Sequence, residues 1–132
     1  MEIIRDFPPI WDEIKAAFPV IGKPVIFAWS QWIYNPTGIH IDASLLAHEM
    51  MHGQQQGDDP LGWWRRYIDD ARFRLDQEIP AHQAEYLAAM QISSNRHSRR
   101  THEKMIARRL SGPLYGGLIT TASARKLLKE AA

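Results

Sequence analysis

The sequence predicts an α+β fold: a small antiparallel or mixed sheet packed on one central helix, followed by a mostly helical C-terminal half. Three observations predict it. Short apolar runs bounded by turn residues, such as Val25–Trp29, fall in the first third of the chain. Helical sequence dominates from Ala43 onward. A length of 132 residues with 45% hydrophobic content supports a real core, so residues 1–132 are read as one domain.

Pro8-Pro9 opens a short helix over Ile10–Phe18, where Trp11, Ile14 and Phe18 recur at helical spacing. Gly22-Lys23-Pro24 ends that connection, and Val25–Trp29 follows as an apolar strand. Asn35-Pro36-Thr37-Gly38 is a turn signal, so Gln31–Tyr34 is expected to fold back on Ile39–Ile41 as a hairpin. A helix is expected over 43–53, with Asp42 or Ser44 as N-cap and Gly53 as its stop. Gly57–Pro60 reads as a loop and Leu61–Ile68 as a helix carrying Trp63 and Trp64. The next helix starts near Ala71, capped by Asp69 or Asp70, and runs to about Met90 with a kink allowed at Pro80. A basic helix near 97–110, a Gly-rich loop over 111–117 and a last helix over 124–130, capped by Thr121 or Ser123, complete the chain.

The central helix carries His48-Glu49-Met50-Met51-His52, an HExxH motif. On a helix, residues i and i+4 sit nearly above one another, so both imidazoles can aim at one metal ion. Glu49 lies about 100° around from His48, too far for an easy third ligand but placed to reach water at the metal. Two neutral imidazoles and a carboxylate beside an open zinc position make a water-activating set, and Zn2+ is the cofactor implied. Two His and one carboxylate also suit non-haem iron. The helical spacing with Glu49 between the two His favours zinc hydrolysis. A third protein ligand must come from elsewhere. With no Cys in the chain, the downstream candidates are Glu78, His82, Glu85, His97 and His102. Glu78, His82 and Glu85 share one helix face at i, i+4 and i+7.

The stretch from Leu45 to Ala88 resembles a gluzincin metallopeptidase. In that group HExxH is completed by a Glu on a following helix, often within a Glu-x-x-Ala-aromatic run. Glu78-Ile79-Pro80-Ala81-His82 matches the Glu and the Ala, with His82 where an aromatic is usual. The run from His48 to Gln56 is also similar to small bacterial and phage zincin domains, in which Gln follows the second His closely. The resemblance implies a zincin-like fold whose edge strand runs along the substrate cleft, so that a peptide binds as an added strand. Ile39–Ile41 would then lie near that edge, with His40 a cleft candidate. It also implies Glu78 as the third metal ligand, ahead of Glu85 and then His82. Pro80 is the departure, because it removes a helix hydrogen bond close to the proposed ligand.

These readings lead to the expectation of a zinc metallopeptidase, a hydrolase that cleaves the amide of a peptide or peptidoglycan peptide with Glu49 as general base. Tyr115, in the Gly/Pro-flanked loop Ser111–Gly117, is the candidate donor to the developing oxyanion. Arg99, Arg100 and His102 are further candidates for that role. Asp69, Asp70 and Asp76 are candidates to orient the ligand imidazoles. The alternative is a structural or particle-associated protein of phage type that keeps the zincin fold, with metal and little or no turnover. Its assembly partner would meet a Trp-rich surface (Trp11, Trp29, Trp32, Trp63, Trp64) or the basic helix.

Net charge is +1, so no global field argues for nucleic acid as a partner. The basic run from Arg96 to Arg109 could face a polyanion, whether nucleic acid or an acidic cell-wall polymer. It lacks interleaved aromatics, which argues against base stacking. The absence of Cys excludes disulfides and a Cys-ligated zinc finger. Met1–Asp6 shows no basic region leading into an apolar stretch, so no signal peptide is expected. No apolar run approaches the ~20 residues that span a bilayer. The expected location is cytoplasmic or virion-associated.

Overall fold

The computed structural model describes residues 1–131. The elements follow as β1 (Glu2–Ile4), α1 (Trp11–Ala17), β2 (Phe27–Trp29), β3 (Trp32–Tyr34), α2 (Ala43–Gln56), α3 (Pro60–Asp69), α4 (Ala71–Ile92), α5 (Arg96–Leu110), a 3-10 turn (Pro113–Tyr115) and α6 (Thr121–Glu130). The fold is α+β and mostly helical. Its three-stranded sheet is mixed, in the order β1-β3-β2, with β1 parallel and β2 antiparallel to β3.

The hairpin differs from the sequence expectation. β3 pairs with β2, Trp29 opposite Trp32 and Phe27 opposite Tyr34, and Ile39–Ile41 forms no strand. The turn is made at Ser30, which takes φ 51°. Ser30 N–H donates to Gln56 Oε1 and Ser30 Oγ to the Gly57 carbonyl, both at 2.6 Å, so the end of α2 holds the turn. The Asn35–Gly38 turn instead sends the chain toward α2. The Asn35 side chain bonds both the N–H and the carbonyl of Ile39, at 3.1 and 2.9 Å. The second neighbour of β3 is the N-terminal strand β1, which sequence reading did not foresee.

Asp42 caps α2, its Oδ1 accepting from Leu45 N–H at 2.9 Å. The helix does not stop at Gly53. It runs on to Gln56 and ends at Gly57, with φ 56°. Gly53 serves a different need, because a Cβ there would sit 2.3 Å from the Ser30 carbonyl oxygen. Asp59 caps α3 with Pro60 in its first turn, and Asp70 caps α4 through Phe73 N–H at 3.0 Å. α4 continues unbroken through Pro80. Thr120, rather than Thr121 or Ser123, caps α6, accepting from Ser123 N–H at 3.1 Å.

Two apolar cores form. One joins α1, the sheet and α3 through Ile14, Phe27, Trp63, Trp64 and Tyr67. The other joins α4, α5 and α6 through Leu75, Ile106, Leu110, Tyr115 and Leu128, among others. None of the five Trp is exposed: Trp63 and Trp64 form core and cavity wall, Trp11 and Trp29 pack against that core, and Trp32 is half-buried on β3, so they make no open surface cluster. Between the cores, α2 packs along α4. The buried residues of α2 are Ser44, His48, Glu49, His52 and Gln56, all polar. Burying polar groups is unfavourable unless each finds a partner, so this seam needs a chemical explanation. No described helix is long and apolar enough to cross a membrane.

Candidate metal centre

Helical spacing stacks His48 and His52 on the face of α2 that meets α4. Glu78, His82 and Glu85 come from the facing side of α4, as their i, i+4, i+7 spacing requires. All five, with Glu49, are buried.

The decisive geometry is a triangle of three acceptor atoms. His48 Nε2 and His52 Nε2 are 3.1 Å apart, and Glu78 Oε1 lies 3.1 Å from the first and 2.6 Å from the second. The opposite ring nitrogens explain why these atoms face one another. His52 Nδ1 lies 2.8 Å from Gln55 Oε1, and Gln55 Nε2 donates to the Gln77 carbonyl at 2.8 Å. That second bond fixes the amide, so its oxygen accepts from His52 and places the proton on Nδ1. His48 Nδ1 donates to Glu85 Oε1 at 2.9 Å. Each neutral imidazole therefore turns an Nε2 lone pair toward the other and toward a carboxylate. Only a positive charge at the centre, a proton or a metal ion, reconciles three acceptors this close. His48, His52 and Glu78 form a buried group that could hold a metal ion. Ligand atoms on a tetrahedral zinc, with bonds of about 2.0–2.1 Å, stand about 3.3 Å from one another, so the two 3.1 Å edges fit after opening by about 0.2 Å and the 2.6 Å edge between His52 and Glu78 after opening by about 0.7 Å.

The titration of the group follows. Burial opposes charge on His48, but the hydrogen bond and charge of Glu78, with the Glu85 bond, outweigh it and raise the pKa from 6.5 to about 10. His52 is raised on the same balance. Burial alone would raise Glu78, yet the two imidazoles hold it well below the usual carboxylate range. Glu49 moves the other way. Its burial outweighs the attraction of His48 and His52 and raises its carboxyl above the ordinary value.

Glu78 is held from behind as well, since Tyr67 O–H donates to its Oε2 at 2.7 Å. Glu85 and His82, the other sequence candidates for the third ligand, lie one step out. Glu85 Oε1 accepts from His48 and also lies 3.1 Å from His82 Nδ1, while its Oε2 lies 3.4 Å from Arg109. His82, His48 and Glu85 form a second set with ligand-like spacing, through the His48 nitrogen turned away from Glu78. Tyr115 reaches the same cluster, its hydroxyl 3.2 Å from His82 Nε2. Burial and the charge of Glu78 push that hydroxyl well above the ordinary phenol range, so it keeps its proton.

These groups border a cavity of about 350 Å³ whose far wall is apolar, including Phe18, Val25, Phe27 and Trp64. Glu49 lines it too. It makes no side-chain hydrogen bond among the described residues, and no buried polar atom lacks a partner, so its carboxylate borders the open space. β2 is the sheet edge beside the cavity, but its Ala28 carbonyl already accepts from Gln56 Nε2 and Trp64 Nε1, at 3.0 and 2.9 Å. His40 is exposed and lies outside the cavity wall.

Other expectations are not met. Arg99 and Arg100 are exposed on α5, His97 is exposed and His102 half-buried there, and none lines the cavity. Asp76 pairs with Arg72 at the surface, and Asp70 is a helix cap, so neither orients an imidazole. Gln55, Tyr67 and Glu85 do the supporting work instead. Gln55 was detectable in principle, lying three residues after His52 on one helix. Tyr67 reaches Glu78 from another helix, and no local pattern marks it.

Comparison of the chain with protein-family models, with curated proteins and with solved structures gives no match, so the geometry carries the functional argument alone.

Proposed function

We propose that this chain is a zinc-dependent metallopeptidase of zincin type, hydrolysing a peptide or peptidoglycan-peptide amide. The observation that supports this best is the convergence of His48 Nε2, His52 Nε2 and Glu78 Oε1 beside a buried, unpartnered Glu49 at the wall of a cavity. His48, His52 and Glu78 would hold the zinc, which supplies Lewis-acid polarisation and a lowered water pKa at neutral pH.

The chain's own residues supply the rest. Glu49, made more basic by burial, accepts a proton from water in the cavity and passes it to the departing amine nitrogen. Tyr115 stays protonated and offers a donor where negative charge develops on the carbonyl oxygen. The apolar wall seats a nonpolar substrate side chain and limits competing water.

The test joins metal content with turnover. Elemental mass spectrometry should find about one zinc per chain, lost in His48→Ala. Glu49→Gln should keep the zinc and lose about 10²–10⁴-fold in cleavage of a mixed peptide library followed by mass spectrometry. A Gln variant as active as the parent refutes the mechanism. Tight zinc binding with no cleavage of any peptide would move the assignment to the structural, particle-associated alternative.

A further inference from the structure

We propose that the exposed face of α5 is a docking surface for the phosphate backbone of a nucleic-acid duplex, a role independent of the metal centre. Charge is strongly segregated along this chain. After residue 95 there are nine Lys and Arg against two Asp and Glu, although the whole chain carries only +1. A surface potential depends on where charges sit, so the near-neutral total does not describe this face.

Arg96, Arg100, Lys104 and Arg108 recur at every fourth residue of α5, with Arg99 beside them. All five are exposed. None has a carboxylate partner among the described residues. The ion pairs of this region are Arg109 with Glu85, and Arg125 and Lys129 with Glu103. Glu103, the one acid of α5, is buried and turned toward α6. Three like-charged i, i+4 pairs therefore work against the helix, and no carboxylate among the described residues pairs with them. An external polyanion offsets them.

The face also indicates which polyanion. The ridge presents a cation about every 6 Å over roughly 18 Å. A duplex carries one phosphate per about 1.7 Å of axis, so each cation has phosphates in reach. Four of the five are Arg, whose planar fork grips phosphate with two parallel hydrogen bonds. α5 has no Phe, Tyr or Trp to stack on an unpaired base, which favours a duplex over a single strand. Met105 is its one exposed large apolar residue, too little to insert into a lipid surface.

The test is fluorescence anisotropy of a labelled duplex of about 20 base pairs with the whole chain, titrated with salt. Five phosphate contacts give a log–log salt slope of about −4.5, a loss of about 500-fold in affinity between 50 and 200 mM salt. Arg100→Gln, Lys104→Gln and Arg108→Gln together should reduce that slope to about −1.8, or about 12-fold over the same range. The three side chains are exposed and unpaired, so the circular dichroism of this variant should match the parent. A control with Lys15, Lys23 and Arg65 changed to Gln should keep the parent's slope. Absence of binding at 50 mM salt overturns the proposal. So does an unchanged slope in the α5 variant, or an equal loss in the control. Tighter binding to vesicles of anionic phospholipid at equal charge also overturns it, in favour of a membrane surface.

Discussion

His48 and Glu85 are tied by one hydrogen bond, Nδ1 to Oε1 at 2.9 Å, and that bond decides which nitrogen His48 turns toward His52 and Glu78. The bond is not isolated. Glu85 also engages His82 and Arg109, so α4 and α5 jointly set the orientation of a side chain on α2. A carboxylate in this position fixes the imidazole tautomer and raises its basicity toward a metal.

Glu85→Gln is therefore expected to weaken metal binding by about 10–100-fold without removing a ligand. An amide can offer His48 either an oxygen or an N–H, and it carries no charge to support the ring. Competition against a chromophoric chelator measures the loss. An affinity equal to the parent's would show that Glu85 does not orient His48.

Metal uptake should release protons and strengthen with pH. Metal-free His48, with its pKa at about 10, carries a proton at neutral pH that a metal ion must displace. Calorimetric titration in two buffers of different ionisation enthalpy should reveal about one proton per ion. Equal apparent enthalpies in the two buffers would contradict this.

The same shifts set the stability of the metal-free fold. A raised His48 pKa contributes stability that is full below pH 6.5 and is lost as pH rises through about 10. The lowered carboxyls of Glu78 and Glu85 contribute stability that is present above about 4.5 and lost as pH falls through their depressed values. Chelated protein should thus melt at lower temperature at pH 9.5 than at pH 6, a trend that zinc loading should suppress. A thermal midpoint that does not fall between those pH values would show that the His48 proton contributes nothing to the fold.

The local part of this site was legible in the sequence. His48, Glu49 and His52 need only the pitch of one helix to be placed together. Glu78 required a resemblance to bring a second helix into the argument, and spacing alone left Glu85 and His82 level with it. The sheet was read less well. The Asn35-Pro36 turn signal outweighed Ser30-Gln31, which has neither Gly nor Asn, because Ser30 is held by contacts with Gln56 and Gly57 far along the chain. β1 is three residues long, too short for any periodicity to show.

Tyr67→Phe isolates the support behind Glu78. Its hydroxyl donates to Oε2 at 2.7 Å in a buried setting. A hydrogen bond to a charged group contributes about 1.5–3 kcal/mol, and the metal-free protein should lose stability of that order. Urea denaturation of the chelated protein checks it. A loss below about 0.5 kcal/mol would mean that Glu78 is held in place without Tyr67.

Gly53→Ala separates local propensity from packing. Within a helix, Ala is favoured over Gly by about 0.8–1.0 kcal/mol, so propensity alone predicts a more stable protein. The structure predicts the reverse. A Cβ at this position would stand 2.3 Å from the Ser30 carbonyl oxygen and 2.9 Å from the Met1 side-chain methyl. Met1 can swing aside, but Ser30 cannot. Its N–H and hydroxyl are bound to Gln56 and Gly57, so the same helix that would push it away also holds it. Relief requires α2 to shift from the hairpin, and the Gln56 bond to Ala28 would stretch with it. Overpacking of this kind costs about 1–3 kcal/mol, enough to outweigh the gain in propensity. The shift would also carry His52, one residue away, relative to Glu78 on α4. Gly53→Ala should accordingly lower both the denaturation midpoint and the metal affinity. A variant more stable than the parent would show that Gly53 is no contact point and that the hairpin does not position α2.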